Sequence, residues 1–566
     1  MSQHPTEWIL KESPDVPRSS TNPLPDILCK LLAQRGVADE KEIEHFLRPR
    51  LRELSDPFLL PNMQAAVDRI FTAIDEQQRV CVYGDYDVDG ITSVTLLIKA
   101  LKAYGLEARP FIPHRGPEGY GLNEASLKRC MSEGEPPELM ITVDCGTASH
   151  VEIAQLNEKG IDTIVVDHHE LPIAGEPNCV AVVNPKCGDD YHYLCAAGVV
   201  FKLIHAMLKT RQLQHYDLKE DLDLVAMATI SDIVPLIEEN RLIVRHGLRR
   251  LANTRHIGIA ALKKVAQLPK VPTSSDVGFR MGPRINAAGR MDRPEDALAM
   301  LMSEDELEAE SLADQLNAHN IRRQKHELEI HNQAIEAMED LDDPECPVIV
   351  LASRQWHPGV VGIVASRLMR RYHKPCFVIS VDQEGIGKGS GRSIEGVSLV
   401  DAINNSRPLL LAGGGHEMAA GISINEDQIE TFRQQFAEYV IEHVPEHQRR
   451  PKLTVDAELP FQILSLAFLE SYELLQPFGC ANPQPVFMSS NVWLAEPPRK
   501  LKNNHLKLSL KQGDFFHEAM YFGGANFDIP EGPLDIAFTI NRNFFRGRTS
   551  LQLIIQDIRQ HQAKTN

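Results

Sequence analysis

Residues 80–90 read VCVYGDYDVDG, and residues 91–104, ITSVTLLIKALKAY, follow with helical period. An apolar run of strand length thus ends in three closely spaced carboxylates, Asp85, Asp87 and Asp89, and turns at once into a helix. The pattern returns downstream. LMITVD stops at Asp144, TIVVD stops at Asp167 with His168 and His169 behind it, and the apolar DLDLVAMATISD delivers Asp232. All of these acids are expected at strand ends. Strands alternating with helices imply a parallel sheet, which collects its ligands in the crevice outside the carboxyl ends of the strands. The acids should therefore converge.

Convergent carboxylates repel one another and stay charged only if cations sit between them. Taken singly, each aspartate reads as a helix cap or turn residue. Together, Asp87, Asp89, Asp144 and Asp232 point to metal. Oxygen ligands with one imidazole, from His168, favour Mg²⁺ or Mn²⁺ over zinc or copper, and two ions fit the acids better than one. A calcium EF-hand is excluded, because its glycine and closing Glu are not at their places and an apolar helix follows immediately.

The chain has 566 residues, enough for several separate cores, and its 43% hydrophobic and 24% charged content is that of a folded globular protein. Its ten cysteines contain no C-x-x-C pair, so reduced structural thiols are expected rather than zinc or redox chemistry. No apolar stretch approaches the roughly 18 residues of a membrane span, and MSQHPTEWILKESPDVPRSS lacks a basic region followed by an apolar one. A cytoplasmic location is expected. A net charge of −19 argues against a surface that coats nucleic acid or membrane throughout. Between Arg241 and Arg293, however, twelve Lys or Arg face two acids, Asp276 and Asp292, which suggests a polyanion-binding stripe. RKLKNNHLKLSLK at 499–511, and Arg542, Arg546 and Arg548 beside Phe544 and Phe545, mix charge for phosphates with rings for bases.

EDELEAE at 304–310 opens a long helical stripe that ends at the DDPECP breaker. Beyond it, VIVLAS, GIVASRLMRRY and PCFVIS predict a second α/β unit. Its glycine loops, GKGSGRS and GGGHEMAAG, let backbone amides approach phosphates, with Ser390, Arg392 and His416 as added donors. After Pro451, HLKLSLKQG, EAMYFGG, LDIAFTIN and SLQLIIQDI alternate with period two, the signature of a small β-barrel.

GDYDVDG, TVDCG, VVDHHE and ATISDIVP, followed by FRMGPRINAAGRMDRPEDAL and GGGHEMAAG, resemble the DHH phosphoesterase family, and within it the exonucleases specific for single-stranded DNA. The likeness runs from about residue 60 to the C-terminus. It implies an α/β protein of five parts: an N-terminal extension (1–60), a DHH catalytic domain with a parallel sheet and a basic C-terminal part (61–303), a connector helix (304–343), a DHH-associated domain (344–447) and an OB-like nucleic-acid-binding barrel (448–566). It also implies that Asp87 and Asp144 hold one metal and Asp89, Asp144, His168 and Asp232 the other, with Asp85 behind the ligands and His169 on a phosphate oxygen. Tyr83 stands where many members carry His, so one site is expected to lose a nitrogen ligand. Arg115, Arg280, Ser390 and Arg392 are the implied pocket for a terminal phosphate, with Gly414, Gly415 and His416 near the strand.

The implied activity is two-metal hydrolysis of single-stranded DNA from the 5′ end, releasing 5′-mononucleotides in recombination and repair. Single-strand-binding protein and a helicase are the expected partners. Two other readings stay open: a DHH enzyme acting on short oligoribonucleotides or cyclic dinucleotides, and a noncatalytic single-strand-binding factor.

Overall fold

A computed structural model describes residues 6–12, 24–115, 118–290, 293–339, 346–502, 504–545 and 547–562. The N-terminal sheet is parallel throughout, in the order Arg109–Phe111, Val80–Tyr83, Leu139–Val143, Asp162–Val166, Ala181–Val183. Its central strands are buried on both faces, which is why they read as unbroken apolar runs. One face packs against the helices Met63–Asp75, Val88–Ala103 and Ala196–Thr210. The other carries Cys81, Tyr83, Met140 and Val165 into a second core. Gly84 and the acids follow directly at the carboxyl rim.

Asp232 departs from its expected place. DLDLVAMATIS forms the helix Leu222–Ser231, with Asp232 at its C-terminal end, rather than a strand. A segment buried on nearly all sides is apolar in either conformation, so periodicity does not separate them. The basic region that follows is helical as well, over Glu238–Ala252, Ile257–Val265, Gly282–Arg290 and Pro294–Met302.

The connector is one helix, Glu306–Glu339, 34 residues and roughly 50 Å long. It leads to a mixed sheet in the order Leu410–Gly415, Ala419–Asn425, Ile386–Arg392, Cys376–Val381, Ile349–Ser353. In the C-terminal unit, Phe487–Leu494 pairs with both Leu534–Phe545 and His505–Gln512, and this second pairing closes the barrel.

The N-terminal extension is part of that barrel's core. Glu7–Leu10 pairs in parallel with Lys452–Val455, and Leu28, Leu31, Leu32, Ile43 and Leu47 pack with Phe461, Phe487 and Phe538. Residues 28–47 thus share a core with residues 457–558, whereas Leu51, Leu54, Phe58 and Leu60 pack with the catalytic unit. Contacts between residues more than four hundred positions apart leave no periodic trace in either segment.

Much of the basic stripe is paired within the fold. Arg241 and Arg245 donate to the carbonyls of Leu474 and Gln476, and Arg241 also to that of Phe46. Lys263 donates to Leu251 and Ala252 carbonyls, Arg250 pairs with Glu220, and Lys264 with Glu310. Arg542, in the barrel, is clamped by Glu473, while Arg546 and Asp292 lie outside the described residues. Local charge counting overstated the free positive surface.

Candidate metal and phosphodiester site

The Asp85–Asp89 loop is shaped by Gly90. A Cβ there would lie 2.4 Å from the Asp85 carbonyl oxygen and 2.6 Å from its nitrogen, so only glycine lets the helix begin against this peptide. Asp87 caps that helix, its Oδ1 accepting from the amides of Asp89 (2.9 Å) and Gly90 (3.1 Å). Asp89, in the first turn, accepts from Ala196 N (2.7 Å) and Ala197 N (2.9 Å) at the N-terminus of a second helix. Asp144 stands at φ +61°, a left-handed conformation that Asp tolerates better than most residues.

These groups meet. The Nε2 of His168 lies 3.4 Å from Asp144 Oδ1, 3.7 Å from Asp232 Oδ2 and 3.8 Å from Asp89 Oδ2. Among the described residues, Asp85, Asp87 and Asp144 form one group able to hold an ion, Asp89, His168 and Asp232 a second, and Asp144, His168 and His169 a third. Asp85 therefore sits inside the cluster, where the sequence reading put it behind. Its Oδ1, and the Oδ2 of Asp232, are buried without a hydrogen-bond partner, which is costly unless a cation lies among them.

The electrostatics agree. Burial, then the charge of Asp87, raises Asp85 to about 8 and Asp89 to about 7. Burial and Asp89 raise Asp232 to about 9, and burial with four neighbouring aspartates pushes Asp144 well above the carboxylate range. The cluster cannot carry its full charge by itself. A divalent cation reverses this balance. His168 is pushed down to about 4 by burial and by His169, which leaves the neutral imidazole that a metal requires. The donor set therefore fits divalent cations.

Asp167 does different work. Its Oδ2 accepts from Thr147 N and Oγ1, and its Oδ1 from His168 N and His169 Nδ1 (2.7 Å). Burial works against its charge, but these bonds hold the carboxyl well below its ordinary value. In return, and again against burial, Asp167 raises His169 to about 9, leaving a cationic imidazole at neutral pH. The Nε2 of His169 meets the Tyr120 hydroxyl at 2.8 Å.

Tyr83 is turned away from the acids. Its hydroxyl lies 3.0 Å from the Gly121 carbonyl and 2.7 Å from Ser126 Oγ, donating its one proton within this pair, and its ring stacks on Phe111 in the opposite core. Alternation along the strand, which a residue-type comparison ignores, sets this direction.

The cationic candidates divide. Arg115 stands 5.5 Å over the Tyr86 ring, and Arg392 donates to Ser390 Oγ (3.1 Å) beside Gly362. Arg280 pairs with Asp276 at 3.3 Å, while Arg290, also in the basic stripe, stands within electrostatic reach of Arg115 and Arg392. Arg290 donates to the Gly359 carbonyl (2.8 Å) in the second α/β unit. Burial, Arg115, Arg323 and Arg392 lower it to about 10. Gly289 allows this approach, since a Cβ there would lie 2.9 Å from the Tyr86 carbonyl. Gly414, Gly415 and His416 form an exposed hairpin end.

The chain matches the DHH family, N-terminal domain, over residues 79–229, the DHHA1 domain over 345–442 and the RecJ OB domain over 455–557. It is 35% identical over 543 residues to the single-stranded-DNA-specific exonuclease RecJ of Bacillus subtilis, covering 94% of this chain and 67% of that one. To the protein of the same description from Dickeya dadantii it is 34% identical over 576 residues, covering 97% and 98%. The crystal structure of RecJ in complex with Mn²⁺ from Thermus thermophilus matches with a TM-score of 0.80 at 29% identity, covering 99% of this chain and 80% of that one.

Proposed function

The chain belongs to the RecJ family of single-stranded-DNA-specific exonucleases, and from that premise we infer that it hydrolyses single-stranded DNA with divalent cations held by its own acid cluster. The observation that carries the reading is the gathering of Asp85, Asp87, Asp89, Asp144, Asp232 and His168 at one rim, with buried oxygens that lack partners. Asp85, Asp87 and Asp144 would hold one ion, and Asp89, His168 and Asp232 the other. When bound there, Mg²⁺ or Mn²⁺ would supply charge to neutralise the phosphodiester and would lower the pKa of water enough for nucleophilic attack at neutral pH.

The protein supplies the rest. Hydrolysis adds a water oxygen to phosphorus and breaks the bond to the 3′ oxygen of the terminal nucleotide. Cationic His169, braced by Asp167, exchanges the Tyr120 hydroxyl for a phosphate oxygen when the strand is bound, and donates Nε2–H to it as its charge rises in the transition state. Arg115, Arg290 and Arg392, with Ser390, receive the terminal 5′ phosphate, because planar guanidinium groups pair with its oxygens. That arrangement selects 5′ to 3′ polarity and release of 5′-mononucleotides. Gly414, Gly415 and His416 guide the strand from the facing unit, and the barrel tracks its continuation.

An enzyme of this kind serves recombination or repair in the cytoplasm, where single-strand-binding protein and a helicase would present its substrate. No helix among the described residues is long and apolar enough to cross a membrane. The test uses 5′-labelled and 3′-labelled strands, single and paired, with Mn²⁺ or Mg²⁺. The 5′ label should appear first as mononucleotide, from single strands. Preferential cleavage of dinucleotides would instead favour a short-oligonucleotide phosphodiesterase, and metal-independent strand binding with no turnover a noncatalytic factor.

A further inference from the structure

We propose that Tyr120 is the platform on which the base of the strand's first nucleotide stacks. This rests on the exonuclease reading above and assigns part of its substrate site.

Tyr120 lies in the loop between the strand Arg109–Phe111 and the helix Glu124–Ser132. Residues 118–123 of this loop are well braced. Glu118 accepts from His114 N (2.6 Å) and Arg129 Nε (2.5 Å), and Asn123 Nδ2 donates to the carbonyls of Glu118 (2.6 Å) and Gly121 (3.2 Å). The ring held in this frame is 54% exposed, while its hydroxyl reaches inward to His169 Nε2 at 2.8 Å. Burial and the charges of Asp144 and Asp85 push that hydroxyl far above its ordinary pKa, so it stays neutral among the acids.

Its neighbours give the exposed ring a purpose. Tyr120 meets His169 edge-on at 5.9 Å and Tyr86 edge-on at 6.4 Å, and Tyr86 lies beneath the Arg115 guanidinium at 5.5 Å. A cation for the terminal phosphate, two aromatic rings and the imidazole for the scissile phosphate thus follow one another. A nucleotide held by its 5′ phosphate at one end of this series and its 3′-side phosphate at the other lays its sugar and base beside the rings. Stacking suits the task because every base has a π face, so any nucleotide is accepted in turn. The hydroxyl bond to His169 holds the ring in place beforehand, which reduces the ordering cost when the strand arrives.

The test compares steady-state kinetics with Mn²⁺ on 5′-phosphorylated single strands whose first nucleotide carries a base or is abasic. On the normal strand, Tyr120→Ala should raise KM about tenfold, and Tyr120→Phe, which keeps the ring, should recover most of that loss. Wild-type protein should show a similar KM increase on the abasic strand, where Tyr120→Ala adds nothing further. An equal penalty from Tyr120→Ala on both strands, or a Phe variant no better than the Ala variant, overturns the platform. If Tyr120→Ala does not fold, the wild-type abasic comparison and the Phe variant decide. Release from the 3′ end by wild-type protein would sink the underlying polarity, whereas 5′ release indifferent to the first base sinks this proposal alone.

Discussion

The acid-lined rim of the N-terminal sheet and the basic face of the helix Glu238–Ala252 each crowd like charges together, and the fold resolves them in opposite ways. Arg241 and Arg245 are pushed down to about 9 and about 10 by burial and neighbouring arginines, yet their N–H groups meet carbonyls of Phe46, Leu474 and Gln476. Arg241 also lies 3.6 Å over the Phe46 ring. That cluster fastens the barrel and the N-terminal helices to the catalytic unit. Asp85 and Asp232 keep buried oxygens without partners, as Arg241 keeps its Nη1, but the two acids stand among further aspartates whose charges add to their own. A concentration of one charge in a sequence marks a ligand site only where the fold leaves the charge unanswered.

The comparison breaks most sharply at Asp144, which lies in two of the three possible ion-holding groups. Asp144→Ala should lower nucleotide release by on the order of a thousandfold while strand binding, followed by fluorescence anisotropy, largely survives. Retained turnover would show that the acids are not the catalytic centre. Arg241→Ala should do the reverse, costing about 3 kcal/mol of stability by leaving carbonyls unpaired, with the turnover of the folded fraction preserved. Urea midpoints and active-site-normalised rates together decide it. An Arg241 variant that kept its midpoint but lost strand affinity would return the basic stripe to DNA.

Smaller effects sharpen the contrast. Arg290→Gln should raise KM about tenfold for 5′-phosphorylated strands and much less for strands with a 5′ hydroxyl, because Arg290 stands within electrostatic reach of Arg115, Arg323 and Arg392. Equal losses on both strands would leave Arg290 as a structural tie to Gly359. The last test concerns pH. Without divalent cations, Asp89, Asp85 and Asp232 stand at about 7, 8 and 9 in the fold, against about 4 in an unfolded chain. The folded protein therefore binds more protons, and the stability from these groups is full below about pH 4 and lost as pH rises through 7 to 9. In EDTA, the melting temperature should fall by about 5 °C between pH 6 and pH 9, and saturating Mn²⁺ should abolish the fall. Calorimetry showing the same pH dependence with and without Mn²⁺ would separate the acids from the metal.

Much of the site was legible because strand ends and helix starts are local events. GDYDVDG, TVDCG and VVDHHE each carry apolar period, turn and acid within a few residues, and the parallel-sheet rule brings them to one rim. Asp232 was found for a partly wrong reason, since an apolar run reads alike as strand or buried helix. Tyr83 lies in the opposite core through the alternation of side chains along its strand, which residue type alone does not give. Arg290 was hidden among eleven other basic residues, its distinguishing contact being a carbonyl in another unit. Tyr120 carried no signal at all until its hydroxyl was seen on His169.

What the chain decides by itself is the set of elements and the chemistry available at their ends, because period, turn residues and ionisable groups act over a few positions. Tertiary structure alone decided which charges are answered by backbone carbonyls and which are left to bind cations. It also decided that residues 28–47 pack into the core of the C-terminal barrel, and that Arg290 lies within reach of Arg115 and Arg392. Those outcomes depend on groups hundreds of positions apart approaching within hydrogen-bond range, where burial strengthens every unpaired charge, and no local pattern encodes that proximity.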